Sequence, residues 1–161
     1  MANVGIMNAA DTVYGSAASV YVTISGIRYN FAHVISLEAS AKKTKTKVPI
    51  LGSTAKGNKA TGVEYTGKMT MHYNNSILRQ VMYEFTHGGA DIYFDIQVVN
   101  NDPTSAAGRQ TTTLKNCNLD EVIIAKVDAD TDDVLEEDCD FTFEDWNLDE
   151  RFTNLAVLEA A

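Results

Sequence analysis

Most of the chain alternates apolar and polar residues with a period of two, the signature of half-buried strands. In "SVYVTI", Val20, Val22 and Ile24 fall on one face and Ser19, Tyr21 and Thr23 on the other. Ser25-Gly26 fits a two-residue hairpin turn, after which Ile27, Tyr29 and Phe31 alternate with Arg28 and Asn30. "VISLEASA" sets Ile35, Leu37, Ala39 and Ala41 against Ser36, Glu38 and Ser40. The alternation then continues without its apolar face, as Lys43, Lys45 and Lys47 alternate with Thr44 and Thr46. Threonine favours extended chain and like charges resist collapse, so this strand is expected to run past its own core. "LGSTAKGNKATG" holds three glycines among small polar residues and predicts a mobile turn or loop. The return strand puts Val63, Tyr65, Gly67, Met69, Met71 and Tyr73 on one face, with Glu64, Thr66, Lys68, Thr70 and His72 on the other. Ten residues out and ten back would reach roughly 30 Å at ~3.3 Å per residue.

One segment changes period. In "NNSILRQVMYEFTHGG", Ile77, Leu78, Val81, Met82 and Phe85 share a helical stripe, expected to pack into the core. Asn75 or Ser76 can cap its start, and Gly88-Gly89 can end it. Strands resume at "DIYFDIQVV", with Ile92, Phe94, Ile96 and Val98 opposite Tyr93, Asp95 and Gln97. "NNDPTSAAGRQ" is a turn-rich loop, and "TTTLKNCNL" and "EVIIAKV" are strand candidates, followed by a turn at "DADTDD". "LEEDCDFTFEDW" alternates Cys139, Phe141 and Phe143 with Asp138, Asp140, Thr142 and Glu144. The sum is mainly β: two antiparallel sheets packed as a sandwich or barrel, one flanking α-helix and a long projecting β-hairpin arm. No repeat or linker divides the chain, so residues 1–161 are read as a single domain with 42–62 as the arm. "VLEAA", Val157–Ala161, carries no weight in that reading.

Composition adds a charge asymmetry. The 161 residues are 45% hydrophobic, normal for a globular protein, with a formal net charge of −9. Residues 42–68 hold seven lysines against Glu64, whereas residues 120–150 hold fourteen acids against Lys126. Acidity argues against whole-surface binding to nucleic acid or an anionic membrane. A basic segment and an acidic segment in one chain favour association between copies. The N-terminus lacks a basic leader followed by a long apolar block, so no signal peptide is read, and no apolar run is long enough to span a bilayer as a helix. Cys117 and Cys139 permit one bridge, but nothing marks an oxidising compartment, so both are read as buried free thiols.

Catalytic and metal-binding patterns are weak. His33, His72 and His87 have no HExxH or HxH spacing, and no GxSxG, P-loop or GxGxxG occurs. Asp128, Asp130 and Asp132 match the opening of a calcium loop, but Asp133 stands where that loop needs glycine and Cys139 where it needs glutamate. A solvated acidic turn is the simpler reading. No metal ligand set and no cofactor are assigned.

Four stretches together resemble a known family: "VYVTISGIRYNFAHVISLEA", "GNKATGVEYTGKMTMHYNNSILRQVMYEF", "YFDIQVVNNDPTSAAGRQTTTLKNCNLDEVIIAKVDAD" and "DFTFEDWNL". They are similar to the tail tube proteins of contractile phage tails, of the type found in PBSX-like defective prophage particles and R-type bacteriocins. "FDIQVVNNDPTSAAGRQT" and the "KATG…TG…HY" pattern are the most specific parts. The resemblance spans about Asp11 to Phe152. It implies a sandwich or barrel with a helix alongside and a long hairpin loop, six copies per ring, and rings stacked into a hollow tube inside a sheath. It also implies that the chain is not an enzyme and uses no cofactor. Its partners would be other copies, sheath protein, and baseplate and tape-measure proteins. DNA would pass only in a true phage, and no membrane binding by the subunit is expected. The particle would assemble in the bacterial cytoplasm.

Within that frame Lys42, Lys43, Lys45, Lys47, Lys56 and Lys59 are the inter-subunit arm residues. Asp138, Asp140 and Glu144 are candidates either to line the channel or to receive the arm. The alternative from another class is a monomeric β-barrel that binds a small ligand in its mouth.

Overall fold

A computed structural model of the protein describes residues 5–153 and residue 155; Val157–Ala161 lies outside the described residues. In chain order the strands are β1 (Ala18–Ile24), β2 (Ile27–Asn30), β3 (Val34–Val48) and β4 (Gly57–His72). Helix α1 (Ile77–Gly88) follows, then β5 (Phe94–Asn101), β6 (Arg109–Glu121), β7 (Glu136–Thr142) and β8 (Asp145–Glu150). The class is the expected one, antiparallel and mainly β with one helix. The eight strands form one sheet in the order β2-β1-β5-β6-β7-β4-β3, with β8 paired to β6.

Two details differ from the expectation. The sheet is not closed into a barrel, because β2 and β3 stand at its ends. It is also one connected ladder rather than two separate sheets, because β6 serves both halves. Arg109–Cys117 of β6 pairs with β5, Thr111–Lys115 also pairs with β8, and Asn118–Glu121 pairs with β7. Asn116 lies at the changeover with φ 53°, a left-handed conformation that asparagine tolerates better than most residues. Both halves nevertheless bury their apolar faces in one core. Val22 of β1, Ile96 of β5, Met69 and Met71 of β4, Cys139 and Phe141 of β7, and Leu78 and Val81 of α1 belong to the same buried cluster.

The β1–β2 turn has positive φ at both Ser25 and Gly26, the primed geometry that matches strand twist. Helix α1 ends at Gly89, left-handed at φ 70°, whose N–H donates to the Phe85 carbonyl. At its start, Asn75 Oδ1 accepts from the Ile77 N–H at 2.8 Å, while the Ser76 side chain makes no capping bond. Leu78 and Val81 are buried as expected, but Phe85 is 47% exposed. The buried part of the stripe therefore stops a turn early.

Ile35 is also exposed, because the β3–β4 register skips it between Val34 and Ser36. That bulge moves Val34 and Leu37, not Ile35, against the core. "EVIIAKV" is not a strand beyond Glu121: residues 122–127 have no ladder partner, and Ile124 and Val127 are exposed. The strand expected through Trp146 is two strands, since the chain bends at Phe143 and Glu144 and leaves β7 for β8 on the opposite half of the sheet.

Candidate assembly surface

The β3–β4 hairpin contains the lysine segment. β7 pairs with β4 only from Thr66 to His72, whereas β3 and β4 continue together to Val48 opposite Gly57. Beyond Ser40 opposite Thr66, the hairpin is therefore a two-stranded ladder with no third strand among the described residues. About eight residues of extension correspond to roughly 27 Å. The loop is shorter than expected, since Gly57–Gly62 is strand and only residues 49–56 form the turn.

Lys42, Lys43, Lys45, Lys47, Lys56 and Lys59 are all exposed, and the chain's ion pairs among the described residues involve none of them. Cross-strand partners share a face, so the register assigns sides. Lys43, Lys45 and Lys47 lie opposite Val63, Ala60 and Asn58, on the continuation of the side that bears Met69 and Met71. Lys42 opposite Glu64, and Thr46 opposite Lys59, lie on the other side.

That other side carries the acids. Asp138 and Asp140 are exposed and project away from buried Cys139 and Phe141. Asp138 accepts a 2.7 Å bond from Thr70 Oγ1, and Asp140 sits between Lys68 of β4 and Glu121 of β6. Glu38 of β3 flanks Lys68 in turn. Glu121, Asp140, Lys68 and Glu38 thus form a row across four strands on this polar face, with Asp138 one pair along from it. Glu144 is not part of it: it lies past the end of β7, where its carboxylate accepts from Asn116 Nδ2 at 3.2 Å. Within one chain, Lys43, Lys45 and Lys47 are on the opposite side of the sheet from Asp138 and Asp140 and do not meet them.

The turn itself carries apolar residues that the charge pattern masks. Val48, Ile50 and Leu51 are exposed, Leu51 completely. Ile50 folds over Gly57, where an added Cβ would approach its Cδ1 to 3.1 Å; Leu51 has no such cover. The run "VPIL" was visible in the sequence, but its role depends on its being the tip. A second exposed apolar group lies after β6, at Ile124, Val127 and Val134, interspersed with the acids of 128–133. Ile124 and Val122 form a groove of about 330 Å³ with Met82 and Tyr83 of α1.

The polar interior is structural. Arg79 of α1 pairs with Glu137 of β7, donates to the Asn75 and Ile123 carbonyls and stacks over Tyr73. It thereby ties the helix to the sheet and to the segment after β6. Asp102 accepts from the Tyr14 N–H at 2.9 Å and from both Thr104 N–H and Oγ1, and these bonds hold its carboxyl below the usual carboxylate value. The thiols are free and buried as expected, and burial pushes each up to about 12. Burial, then the neighbouring His72, lowers His33. Among the described residues, no group of three His, Cys, Asp or Glu side chains is placed to hold a metal ion, and the acidic turn is built by Asp128 and Thr131 side chains accepting backbone N–H bonds. A cleft of about 590 Å³ beside the β1–β2 turn, lined by Ile24, Tyr29, Gln80 and Val81, lies on the flank of the sheet and not in a barrel mouth.

The sequence profile of the phage tail tube protein family matches residues 5–150. The chain belongs to that family. The relative "Phage-like element PBSX protein XkdM" of Bacillus subtilis (strain 168) is 36% identical over 123 residues, covering 76% of this chain and 83% of its own. The same fold recurs in solved contractile assemblies. A chain of the anti-feeding prophage baseplate aligns with TM-score 0.64 at 14% identity, covering 91% of this tube-family chain and 96% of the other. A chain of an extracellular contractile injection system, in its sheath-tube complex in the extended state, aligns with TM-score 0.59 at 9% identity, covering 80% and 88%.

Proposed function

We propose that this chain is the structural subunit of the inner tube of a contractile tail-like particle, a phage tail or an R-type bacteriocin. Six copies form a ring, and rings stack around a central channel. The chain acts as a single tail-tube domain over residues 1–161, with 42–62 as the arm. The observation that carries this reading is the family match across residues 5–150.

Physical argument supports it. A ring needs a heterologous contact that closes, and a stack needs a second that does not. An open sheet offers edges for joining, which would be a hazard in a lone monomer. The arm's lysines gain little within their own chain and suit an acidic surface on a neighbour. One exposed pair contributes about 0–1 kcal/mol, but the contact repeats around and along a tube. The face bearing Asp138 and Asp140 is assigned to the channel, where acid repels phosphate and suits DNA transit in a true phage. The competing assignment makes these acids, with Glu144, the receivers of the arm.

The family's role is structural, so no catalytic step, cofactor or membrane contact is assigned. Sheath protein outside, and baseplate and tape-measure proteins at the ends and within, complete the partner set; the sheath-tube complex noted above supports the first. The place of action is the particle tail, assembled in the bacterial cytoplasm. Negative-stain microscopy of concentrated protein and of native particles tests the reading. Rings or tubes of uniform diameter are expected. A monodisperse monomer at every concentration and salt, with no tubes containing the chain in any native particle, overturns it.

A further inference from the structure

We propose that residues 5–17 form a strap that closes the cleft between β1 and the start of β3. The loop 102–107 clasps this strap and residues 151–153 together, with Asp102 as its pin, so the two terminal segments release as one unit. The device belongs to the single subunit and holds whether or not the tube reading does.

The strap is held by little else. None of its side chains is fully buried, and its own order is one turn of 3-10 helix at Ala9–Asp11. Among the described residues, its hydrogen bonds to the rest of the chain all go to residues 101–106. The Asn101 N–H donates to the Ala17 carbonyl at 2.9 Å, the Tyr14 N–H accepts no other partner and donates to Asp102 Oδ2 at 2.9 Å, and the Ala106 N–H donates to the Ala10 carbonyl at 2.8 Å. A segment with few buried contacts and a handful of backbone bonds opens at far lower cost than the core. Gly15 and Ser16 of the strap nonetheless form one wall of a cleft of about 360 Å³, whose other walls include Val20, Phe31, Leu37 and Val98. Lifting the strap takes that wall away.

The motif "NNDPTSAAGRQ" builds the clasp. Asp102 is 6% exposed, and its Oδ1 accepts the Thr104 N–H at 2.9 Å and the Thr104 hydroxyl at 2.6 Å. The Ser105 N–H donates to the Asp102 carbonyl and the Ala107 N–H to Ser105 Oγ, each at 3.1 Å. These bonds fix the loop so that the Ala106 N–H meets the strap on one side. On the other, the Ala107 carbonyl accepts the Thr153 N–H at 2.7 Å. Gly108, at φ 83°, leaves room for that approach, since a Cβ there would lie 3.2 Å from Thr153 Oγ1. Both terminal segments thus hang on adjacent residues of one turn. Coupling of this kind is reciprocal: whatever frees one segment weakens the hold on the other.

Amide hydrogen exchange, read by NMR on the full chain, tests the coupling. Asp102→Asn keeps the side chain's size, but in either orientation its amide nitrogen faces a donor, the Tyr14 N–H or the Thr104 N–H. Exchange at Tyr14, Ala106 and Thr153 is expected to rise together by about tenfold or more. The Tyr73 N–H, which donates to the Leu135 carbonyl at 3.0 Å and touches neither terminal segment, should keep its wild-type rate. Thr153→Pro removes only the donor on the C-terminal side, and it should also speed exchange at Tyr14 and Ala106. Fluorescence of added anilinonaphthalene sulfonate should rise in Asp102→Asn, because the uncovered cleft is lined by Val20, Phe31 and Leu37. If Asp102→Asn frees Tyr14 while Thr153 stays protected, or Thr153→Pro leaves Tyr14 and Ala106 at their wild-type rates, the segments are attached independently and the clasp falls. Equal acceleration at Tyr73 would mean global opening and no separate strap. A dye signal unchanged from wild type would remove the strap's role in closing the cleft.

Discussion

Gly67 is where the fold has least room. A Cβ built there would lie 2.2 Å and 2.4 Å from ring carbons of Phe141, its cross-strand partner. Phe141 is almost wholly buried between β4 and the rest of the core, so the ring cannot retreat without disturbing its neighbours. Gly67→Ala is expected to cost about 1–3 kcal/mol by overpacking, read as a lower denaturant midpoint with an unchanged slope. His33 gives a second test at this scale. Burial and the His72 charge hold its pKa below the ordinary 6.5, so the unfolded chain binds the proton first on acidification. Its contribution to stability is fully present above about pH 6.5 and is lost as pH falls through that value towards the lower folded pKa. Thermal unfolding between pH 7.5 and 5 should therefore show a falling midpoint. His33→Gln should reduce that fall; an identical slope in the variant would remove His33 from the account.

At the level of elements, the arm's register turns a charge pattern into a directional surface. Lys43, Lys45 and Lys47 share one side of a two-stranded ladder, so on the proposal that the arm docks on acidic surface of another copy, their joint replacement by glutamate would convert three attractions into three repulsions. Assembly should fail at low salt and recover partly as salt rises, since the Debye length is ~10 Å at 0.1 M and shrinks above it. Monomer stability should change by no more than about 0.5 kcal/mol, as for other surface substitutions. Tubes forming at wild-type yield in low salt would show that the arm does not act through charge. Much of this architecture was legible in the sequence because it is local. Period-two alternation marked β1, β5, β7 and the β3–β4 hairpin, the Ser25-Gly26 turn joined β1 to β2, and Gly88-Gly89 stopped α1. What escaped was non-local. "EVIIAKV" has strand composition but no partner; Ile35 alternates correctly but sits on a bulge; and the alternation through Phe143 hides the bend into β8. The exposure of the lysines and of Asp138 and Asp140 was readable, but their opposite sides required the register. "VPIL" could not be told from a core strand by its composition, and only the hairpin places it at a tip.

For the whole molecule, the arrangement separates three tasks. The core is shared by both halves of the sheet and by α1, the arm extends beyond it, and exposed apolar residues cluster at the arm tip and after β6. An isolated subunit therefore presents apolar surface that assembly would cover, without any part of its core being disturbed. The two half-sheets are joined unequally through β6: seven residue pairs hold it to β5 and three to β7, each ladder with one register shift. The joint to β7 is the shorter of the two backbone ladders β6 makes with β5 and β7. In the proposed tube, a bending load would be expected to act first on residues 116–121, where the backbone ladder between the half-sheets is shortest. Compliance would then reside inside every subunit, and the filament could curve while the contacts between copies keep a constant geometry.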